Sequence, residues 1–511
     1  MKVDPSKYPQ IPPGYSLNED KKTGRFQVYR DHREKDPKTG KSKNVRTSIG
    51  AIRGGVFYPS ENYSLRQENA ALKAEIEKLK KRQADAPARD EQQAGKVLDR
   101  ISNAIEKSAI DPRKQSRVQV PMVAIVFASL VCALGGVTDA VLIADWLEQN
   151  RDLLERHLPG VKIQGVSHDT VRRCMMLIDP AKFENFYQEM ISGLVKVTAR
   201  RIVAADGQAV RATGRRRRGD GVLHGARMLM NFYDTNNRVC LAQRLIDKKT
   251  NEISVGPEMI EKLSLSGAVV TADAMSCQVT FVEAVLRAGA DYLLSLKGNQ
   301  ELCWREVRAL FAETDESQVK RYETDFELAH GRVEKRVVEV LPGRLMSKAM
   351  FMKWRGLAAG SIVRVRKLST YKSTLEESDQ YSYYFTSIAP YEESAELIYE
   401  AVRAHWSIEN NLHYALDVFW DQDAMSAKAP NYIANRSALN KLALAYQENY
   451  RYWLLEKGRC RPDDLPSLAT LQVRCQRMEA FTECLAAAFG LGGFAGNSVN
   501  SLEASYDGNH S

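Results

Sequence analysis

Two short apolar runs, each followed at once by an aspartate, constrain the fold of this chain more than any other feature. Residues 202–205 precede Asp206, and the almost wholly apolar residues 268–272 precede Asp273. Apolar runs without alternation are typical of strands buried on both faces, which belong to α/β sheets. Functional side chains collect at strand ends in such sheets. The sequence therefore predicts a mixed α/β fold from about residue 200, with both aspartates at strand ends. Capping a helix or turn is the alternative role for each.

A helix that we predict to begin near residue 392 carries a third carboxylate. At ~100° per residue, Glu409 lies on the same apolar face as Ile398, Val402 and Leu412, where His405 is the other polar residue. This predicts that Glu409 points towards the core. A buried carboxylate is costly unless it is paired or bound to a metal ion. Pairing with a neighbouring Arg or with His405 is the alternative to metal binding.

Three acids brought together repel one another, and one or more would stay protonated near neutral pH. A divalent cation removes that penalty. Because no Cys or His cluster accompanies the acids, the oxygen ligands favour Mg²⁺, with Mn²⁺ as a substitute. Two such ions ~3.5–4 Å apart activate an attacking oxygen and stabilise the leaving one in phosphodiester cleavage. The rival carboxylates for these positions are Asp234, Asp247, Asp417, Asp421 and Asp423.

The N-terminal part of the chain carries two further patterns. Residues 1–58 are polar, with strand-like pieces such as Phe26–Tyr29 and Arg46–Ile49, and predict a small β-rich module that contacts the DNA backbone or is a solvated appendage. In the segment 59–85, apolar residues and one Asn alternate spacings of four and three, which predicts a coiled coil. A buried Asn in such a seam favours a parallel dimer. A single amphipathic helix packed on its own protein is the alternative.

The remaining segments divide by their periodicity. Residues 98–195 predict a helical domain, in which Ser167 caps a helix with a basic start that enters a DNA groove or is purely structural. The α/β core predicted at 198–299 resumes at 391–450, after a β-rich insertion at 300–390. Helices are predicted at 451–490 and a disordered tail at 491–511.

Composition narrows the classes of partner. The chain has a formal net charge of +9, which is compatible with a polyanionic partner. Its eight cysteines are scattered singly, which argues against a structural zinc site and is compatible with a reducing cytoplasm. The most apolar stretch, residues 120–134, is too short to span a bilayer, and the polar start is unlike a signal peptide. We therefore expect a cytoplasmic protein with no membrane partner.

Six motifs of this chain, in order, resemble those of DDE-type insertion-sequence transposases of the H-repeat-associated type. The similarity extends from about residue 108 to 445, and includes the helical segment as the domain associated with this core. The motifs are Ala205–Arg211, Lys249–Ile253, Val270–Met275, Asp291–Gln300, His330–Glu334 and Arg403–Val418.

The resemblance implies an RNase H-like (retroviral-integrase-like) catalytic core with a β-rich insertion. It implies that Asp206, Asp273 and Glu409 form a catalytic triad that binds two Mg²⁺ ions. It further implies recognition of terminal inverted repeats, attack on a phosphodiester by water and then by the freed 3′-hydroxyl on target DNA, and a homodimer in a synaptic complex. This chain departs from the pattern at Gln208, where many relatives have Lys. It also departs at Val402 and His405, where the broader group has Tyr and Arg.

Candidate DNA contacts follow from basic character and from this resemblance. The run Arg215–Arg218, in a loop past Asp206, neutralises phosphates or is a solvated charge run. Trp406 stacks on a flipped base or packs in the core. The full set comprises Arg211, Arg215, Arg216, Arg217, Arg218, Lys249, Asn251, Lys297, Asn299, Arg332, Arg403, His405 and Trp406.

Overall fold

The structure is a computed structural model in which the chain forms two compact units, Met1–Arg89 and Asp90–Ser511. It describes residues 2–3, 15–20, 25–35, 42–53, 56–59, 92, 94–114, 118–158, 163, 165–196, 201–216, 223–246, 252–329, 332–372, 374–391 and 393–490. The predicted coiled coil over 59–85 and the predicted tail over 491–511 lie outside these residues, apart from residue 59.

The first unit contains a five-stranded antiparallel meander. Its strands are β1 (Lys2–Val3), β2 (Tyr15–Asp20), β3 (Arg25–Lys35), β4 (Ser42–Arg53) and β5 (Val56–Pro59), which pair in chain order. Leu17, Val28, Ile49 and Ile52 are buried, as expected where apolar and polar residues alternate along half-buried strands. The two strand-like pieces predicted here lie within β3 and β4.

The second unit begins with helices. They are α1 (94–108), α2 (Met122–Leu134), α3 (Ala140–Gln149), α4 (Arg151–His157), α5 (His168–Leu177) and α6 (Pro180–Ile191). Every residue of α2 is buried, which explains the most apolar stretch of the sequence as a core helix. The side chain of Ser167 accepts a hydrogen bond from the Thr170 amide and caps α5, as predicted. In the part of the chain that the structure describes, no helix is long and apolar enough to cross a membrane.

A ten-stranded sheet forms the centre of the second unit. Its first strands are β6 (Ile202–Val210), β9 (Arg227–Asp234), β10 (Val239–Ile246), β11 (Val269–Ala272) and β12 (Asp291–Leu296). They lie in the order β10-β9-β6-β11-β12, in which β10 is antiparallel to β9, β9 is antiparallel to β6, and β11 and β12 are parallel to β6. The short strands β7 (Arg215–Arg216) and β8 (Leu223–His224) form a separate pair. Helices α7 (Glu252–Ile260) and α8 (Val279–Arg287) connect strands of this part of the sheet.

The predicted β-rich segment continues the same sheet. Its strands are β13 (Lys320–Glu323), β14 (Glu327–Ala329), β15 (Arg332–Pro342), β16 (Ser361–Tyr371) and β17 (Glu377–Thr386). Strand β17 pairs with β12, and the order then runs β17-β16-β15-β13. The segment also contains helices α9 (Glu301–Glu313) and α10 (Lys348–Lys353), which the pattern of strand-like pieces did not predict.

The last helices close the core. Helix α11 (Ser394–Ser407) passes into a π-helical turn (Ile408–His413) and then into α12 (Tyr414–Trp420). Helix α13 (Pro430–Glu456) is followed by α14 (Leu468–Cys475) and α15 (Met478–Phe489). The N-terminal helices and α13 belong to one apolar core, and the Trp420 indole donates to the Ala133 carbonyl at 2.7 Å. The helical segment is therefore packed on the helices that follow the sheet, not an independent body.

Candidate active site

The two predicted aspartates lie at the same level of neighbouring parallel strands, but only Asp273 follows a strand end. The prediction that Asp206 ends a strand is wrong, because β6 continues to Val210 and pairs Asp206 with Asn231. The apolar run stops at Ala205 because one face of β6 becomes partly exposed from there on, and not because the strand ends.

Ala205 of β6 is the register partner of Ala272 of β11, so Asp206 and Asp273 follow one paired position. Adjacent strands are ~4.8 Å apart, and both aspartates project from the face that also carries Thr271. The Asp273 carboxylate accepts hydrogen bonds from the amides of Met275 and Ser276 at 3.0 and 3.2 Å, which end the strand in a tight turn. Both aspartates are partly exposed.

One side of the helical segment 394–420 lies across β6 and β11 at the level of the two aspartates. Thr271 Oγ1 is 3.0 Å from His405 Nδ1, and the Asp206 carboxylate is 3.6 Å from His413 Nδ1. Further along, Gln208 Nε2 donates to Asp417 Oδ1 at 3.1 Å. We call His405, Glu409, His413 and Asp417, which are spaced four apart, the active-site stripe. Residues four apart stack on one side of a helix. Glu409 therefore occupies the position between two residues that contact β11 and β6.

The orientation predicted for Glu409 is wrong. Its side chain is exposed, and in this turn it is Ile408 and Leu412 that are buried. The prediction assumed a uniform ~100° per residue, whereas residues 408–413 form a π-helical turn, which changes the angle between successive side chains. Among the residues that the structure describes, no ion pair holds Glu409, so the predicted alternative of pairing with an Arg or with His405 is not realised. Over the same residues, no three His, Cys, Asp or Glu side chains are grouped closely enough to hold a metal ion.

Two histidines of the stripe are neutral near pH 7. Burial, together with the nearby Lys441 charge, lowers the pKa of His413 to about 3. Burial also lowers the pKa of His405, against the opposing effect of Asp273 and with a further lowering by Lys297. The amide nitrogen of the fully buried Asn231 is 3.2 Å from His413 Nε2. A neutral His413 that accepts this hydrogen bond carries its proton on Nδ1, towards Asp206.

A buried polar network supports β6 beside the stripe. Gln422 Nε2 donates to Gln208 Oε1 at 2.6 Å, and the Ser437 hydroxyl donates to Gln422 Oε1 at 3.0 Å. Lys441 Nζ in turn donates to the Ser437 hydroxyl at 3.0 Å. Burial, with the nearby Asp423, raises the pKa of Asp417 to about 6. The sequence patterns did not single out Asn231, His413 or Lys441 as site residues. The spacing of His413 four residues after Glu409 was the available signal for that histidine.

The other predicted site residues lie in different parts of the chain, and some lie outside the described residues. Lys297 follows β12 and influences His405, and the Asn299 amide donates to the Ala274 carbonyl. Arg211 is mostly exposed and pairs with Asp423 at 3.3 Å. Trp406 is 56% exposed, which excludes the alternative that it packs in the core. Arg215 and Arg216 form β7. Arg217, Arg218, Lys249 and Asn251 lie outside the described residues, as does the rival Asp247.

Two of the rival acids are used structurally. Asp234 is fully buried and accepts from Arg201 Nε at 2.7 Å, so it is part of a buried ion pair. Asp421 has a left-handed backbone and ends α12, where its amide donates to the Leu416 carbonyl. Asp417 and Asp423 stay near the site but are joined to Gln208 and Arg211.

Comparison with known proteins agrees with this geometry. A family model described as "Transposase DDE domain" matches residues 198–446, and one described as "DDE_Tnp_1-associated" matches residues 107–191. The chain belongs to the DDE transposase family. The matched region of this transposase domain begins just before β6 and ends within α13, so it includes both aspartates and the active-site stripe.

The individual relatives share between 27% and 32% identity with this chain. The "H repeat-associated putative transposase YhhI" of Escherichia coli (strain K12) is 27% identical over 339 residues, which are 65% of this chain and 86% of the relative. The "Putative transposase YncI" of Escherichia coli O157:H7 is 28% identical over 341 residues, 65% of this chain and 84% of the relative. The "Uncharacterized protein in dhlA 3'region" of Xanthobacter autotrophicus is 32% identical over 238 residues, 45% of this DDE-family chain and 77% of the relative.

Proposed function

We propose that this DDE-family protein is an active DNA transposase. It binds the terminal inverted repeats of an insertion sequence, cleaves phosphodiester bonds and joins the freed 3′ ends to target DNA. Asp206, Asp273 and Glu409 are the catalytic carboxylates of this proposal. The observation that carries it is that Asp206 and Asp273 directly follow one register pair of two neighbouring parallel strands, while helix residues on either side of Glu409 contact those same two strands.

The residues present fit divalent metal ions. Asp206, Asp273 and Glu409 offer oxygen ligands of the kind that Mg²⁺ and Mn²⁺ prefer, and all three are at least partly exposed. Exposure of Glu409 leaves it free of the desolvation cost that a buried unpaired carboxylate would carry. We infer that the three hold two Mg²⁺ ions, for which Mn²⁺ substitutes. Such ions supply Lewis-acid activation of the attacking oxygen and charge neutralisation at the leaving one.

The neighbouring side chains have supporting roles in this proposal. His413, neutral and hydrogen-bonded from Asn231, directs a proton at the Asp206 carboxylate and orients its oxygens. The Thr271 hydroxyl fixes the His405 ring beside Asp273. The Lys297 ammonium group, at the end of the next strand, is placed to attract a substrate phosphate.

The topology supports an RNase H-like core for this enzyme. The order β10-β9-β6-β11-β12 places the two aspartate strands side by side at the centre, and the glutamate helix packs across one face. We also propose that the transposase acts as a homodimer on two DNA ends. The heptad pattern of residues 59–85 supports the dimer.

The experiment that tests the proposal is cleavage of the terminal-repeat DNA that flanks the coding sequence, with purified protein in Mg²⁺ or Mn²⁺. Wild type, Asp206→Asn, Asp273→Ala and Glu409→Gln are compared with Glu396→Gln, which changes an exposed glutamate at the start of the same helix. We expect cutting and joined products from wild type and from Glu396→Gln, and neither from the three site variants. Cut ends without joined products would identify a nuclease instead. DNA binding without cutting by wild type would identify a silenced DNA-binding derivative.

A further inference from the structure

The strands β15, β16 and β17 rise past the catalytic carboxylates on the same side of the sheet. Leu296, at the end of β12, pairs with Tyr383, which pairs in turn with Arg364. Lys297 is therefore level with residues inside β17 and β16, and both strands continue beyond it. Arg336 pairs with Lys367 two residues beyond that level, and Glu334 pairs with Ser369 two residues further. The three strands thus extend the sheet beyond the candidate active site.

One buried carboxylate on this extension of the sheet forms ion pairs with three cations. Glu334 is 1% exposed, and it pairs with Arg336 at 2.5 Å, with Lys367 at 3.0 Å and with Arg332. Burial alone would raise the pKa of Glu334, yet Lys367, Arg336 and Arg332 together hold it below its usual value. The carboxylate is therefore ionised and fixes the cations in place. We call Arg332, Arg336, Lys367 and Glu334 the Glu334 cluster.

The Glu334 cluster has a surplus of positive charge. Three cations surround one carboxylate, and a second carboxylate, Glu327, lies 3.6 Å from Arg336 and 3.8 Å from Arg403. Counting Arg403 with the three cluster cations gives four positive charges against two negative ones. Arg332 and Lys367 keep 29% of their side chains exposed, so this charge is accessible. The positively charged region ends towards β13, where the carboxylates of Glu396, Glu400 and Glu327 lie near Tyr322.

The cluster and the carboxylates belong to one face. Val338 and Val340 of β15, which alternate with the same parity as Glu334, pack against α11 together with Ile202 and Val269. That face of β6 and β11 also carries Asp206 and Asp273. Three strand spacings separate β11 from β16 and four separate it from β15, or ~14–19 Å across the sheet. Along the strands, the cluster lies four to eight residues beyond the level of Asp273, which adds an offset of ~13–26 Å. The two offsets combine to ~20–33 Å, so at ~3.4 Å per base pair the cluster lies about six to ten base pairs from the carboxylates.

We propose that the Glu334 cluster binds the phosphodiester backbone of the DNA segment that flanks the scissile bond. The inference rests on the proposed function, because it takes DNA at the carboxylates as its origin. Arg332, Arg336 and Lys367 donate to phosphate oxygens while Glu334 keeps them aligned. A clamp pre-aligned in this way orients the duplex before cleavage, since less side-chain entropy is lost on binding.

The opposite face of the same strands supplies a matched control. There Glu339 is 4% exposed and pairs with Arg321 at 2.8 Å and with Arg364 at 2.5 Å. This group resembles the Glu334 cluster in chemistry and burial. It lies on the face turned away from Asp206 and Asp273, so backbone contacts from it to the bound duplex are not expected.

The test compares full-length Lys367→Gln and Arg332→Gln with the control Arg364→Gln. Terminal-repeat DNA binding is measured in Ca²⁺ over a series of salt concentrations, and cleavage in Mn²⁺ is measured in parallel. Each lost phosphate contact lowers the slope of log K against log salt by ~0.9, which is about an eight-fold loss of affinity at 0.1 M salt. We expect this change for Lys367→Gln and Arg332→Gln, and no change of slope for Arg364→Gln. In these two variants, ethylation interference should be lost at a phosphate about six to ten base pairs from the cut.

Several outcomes would overturn the inference. If all three variants reduce the slope equally, the effect is one of net charge and the cluster is no clamp. A second outcome is that wild type cuts and Glu409→Gln does not, while Lys367→Gln and Arg332→Gln bind DNA like wild type. The proposed transposase function would then be supported, and the proposed clamp would be refuted. Absence of both DNA binding and cutting in wild type would remove the proposed function and the clamp together. Urea unfolding of each variant separates loss of binding from loss of fold.

Discussion

Lys441 is the least expected side chain of the core, and it leads to a prediction about stability. It is 1% exposed, and its ammonium group donates to two neutral acceptors, Gln243 Oε1 at 2.5 Å and the Ser437 hydroxyl at 3.0 Å. Burial lowers its pKa to about 8, from a usual value of 10.5. Because one pKa unit corresponds to ~1.4 kcal/mol, the buried charge costs about 3 kcal/mol of folding stability at pH 7.

The sign of the pH dependence follows from proton linkage. Between pH 8 and 10.5 the unfolded state binds more protons at this lysine than the folded state does, so its contribution to stability rises with pH. The cost of about 3 kcal/mol at pH 7 falls to about 1 kcal/mol at pH 9.5. The substitution Lys441→Met removes this cost but leaves Gln243 and Ser437 without a donor, which costs about 1–2 kcal/mol.

We therefore expect Lys441→Met to stabilise the protein by about 1–2 kcal/mol at pH 7, and to be neutral or to destabilise it by up to about 1 kcal/mol at pH 9.5. The assay is urea unfolding of both proteins at the two pH values, followed by tryptophan fluorescence and far-UV circular dichroism. The quantity of interest is the change of the wild-type-to-variant difference between the two pH values, about 2 kcal/mol, since the uncharged contacts cancel. A difference that is independent of pH would refute the argument, because it would mean that Lys441 is not a desolvated cation.

Three further predictions concern the site and the assembly. His413→Ala should weaken Mn²⁺ binding and slow cleavage by about 10- to 100-fold, with partial rescue in His413→Gln, because the ring orients Asp206; unchanged Mn²⁺ affinity would rule this role out. The structure describes all six tryptophans, and Trp406 is the exposed one. Trp406→Phe should therefore remove most of the fluorescence that iodide quenches, and should change the free energy of unfolding by less than about 0.5 kcal/mol. Quenching retained in the variant would contradict the exposure of Trp406. Leu72→Asp, in the predicted heptad seam, should halve the mass measured by light scattering, and an unchanged mass would remove the coiled coil as the dimer contact.

Much of the DDE domain follows from local sequence patterns. The apolar runs before Asp206 and Asp273 are buried strands, because strands covered on both faces leave no polar alternation. The capping hydroxyl of Ser167 and the helix that starts near residue 392 are local signals as well, and both are present. These features depend on neighbouring residues in the chain, which is why periodicity alone finds them.

The rest depends on contacts between distant segments. The pairing of β12 with β17, nearly a hundred residues apart, joins the predicted insertion to the main sheet, and no local pattern specifies which strand edge receives it. The same is true of Asn231, which reaches His413 only through strand pairing. The π-helical turn at Ile408–His413 breaks the uniform helical angle, and for that reason the orientation of Glu409 was predicted wrongly.

The most direct test of the catalytic assignment is cleavage of terminal-repeat DNA in Mn²⁺ by wild type, Glu409→Gln and the control Glu396→Gln. We predict cutting and joined products from wild type and the control, and at least a thousand-fold loss of cleavage rate, roughly 4 kcal/mol of transition-state stabilisation, in Glu409→Gln. Cutting at wild-type rate by Glu409→Gln would contradict it. The third carboxylate would then have to be sought among the acids that follow on the same helix, beginning with Asp417.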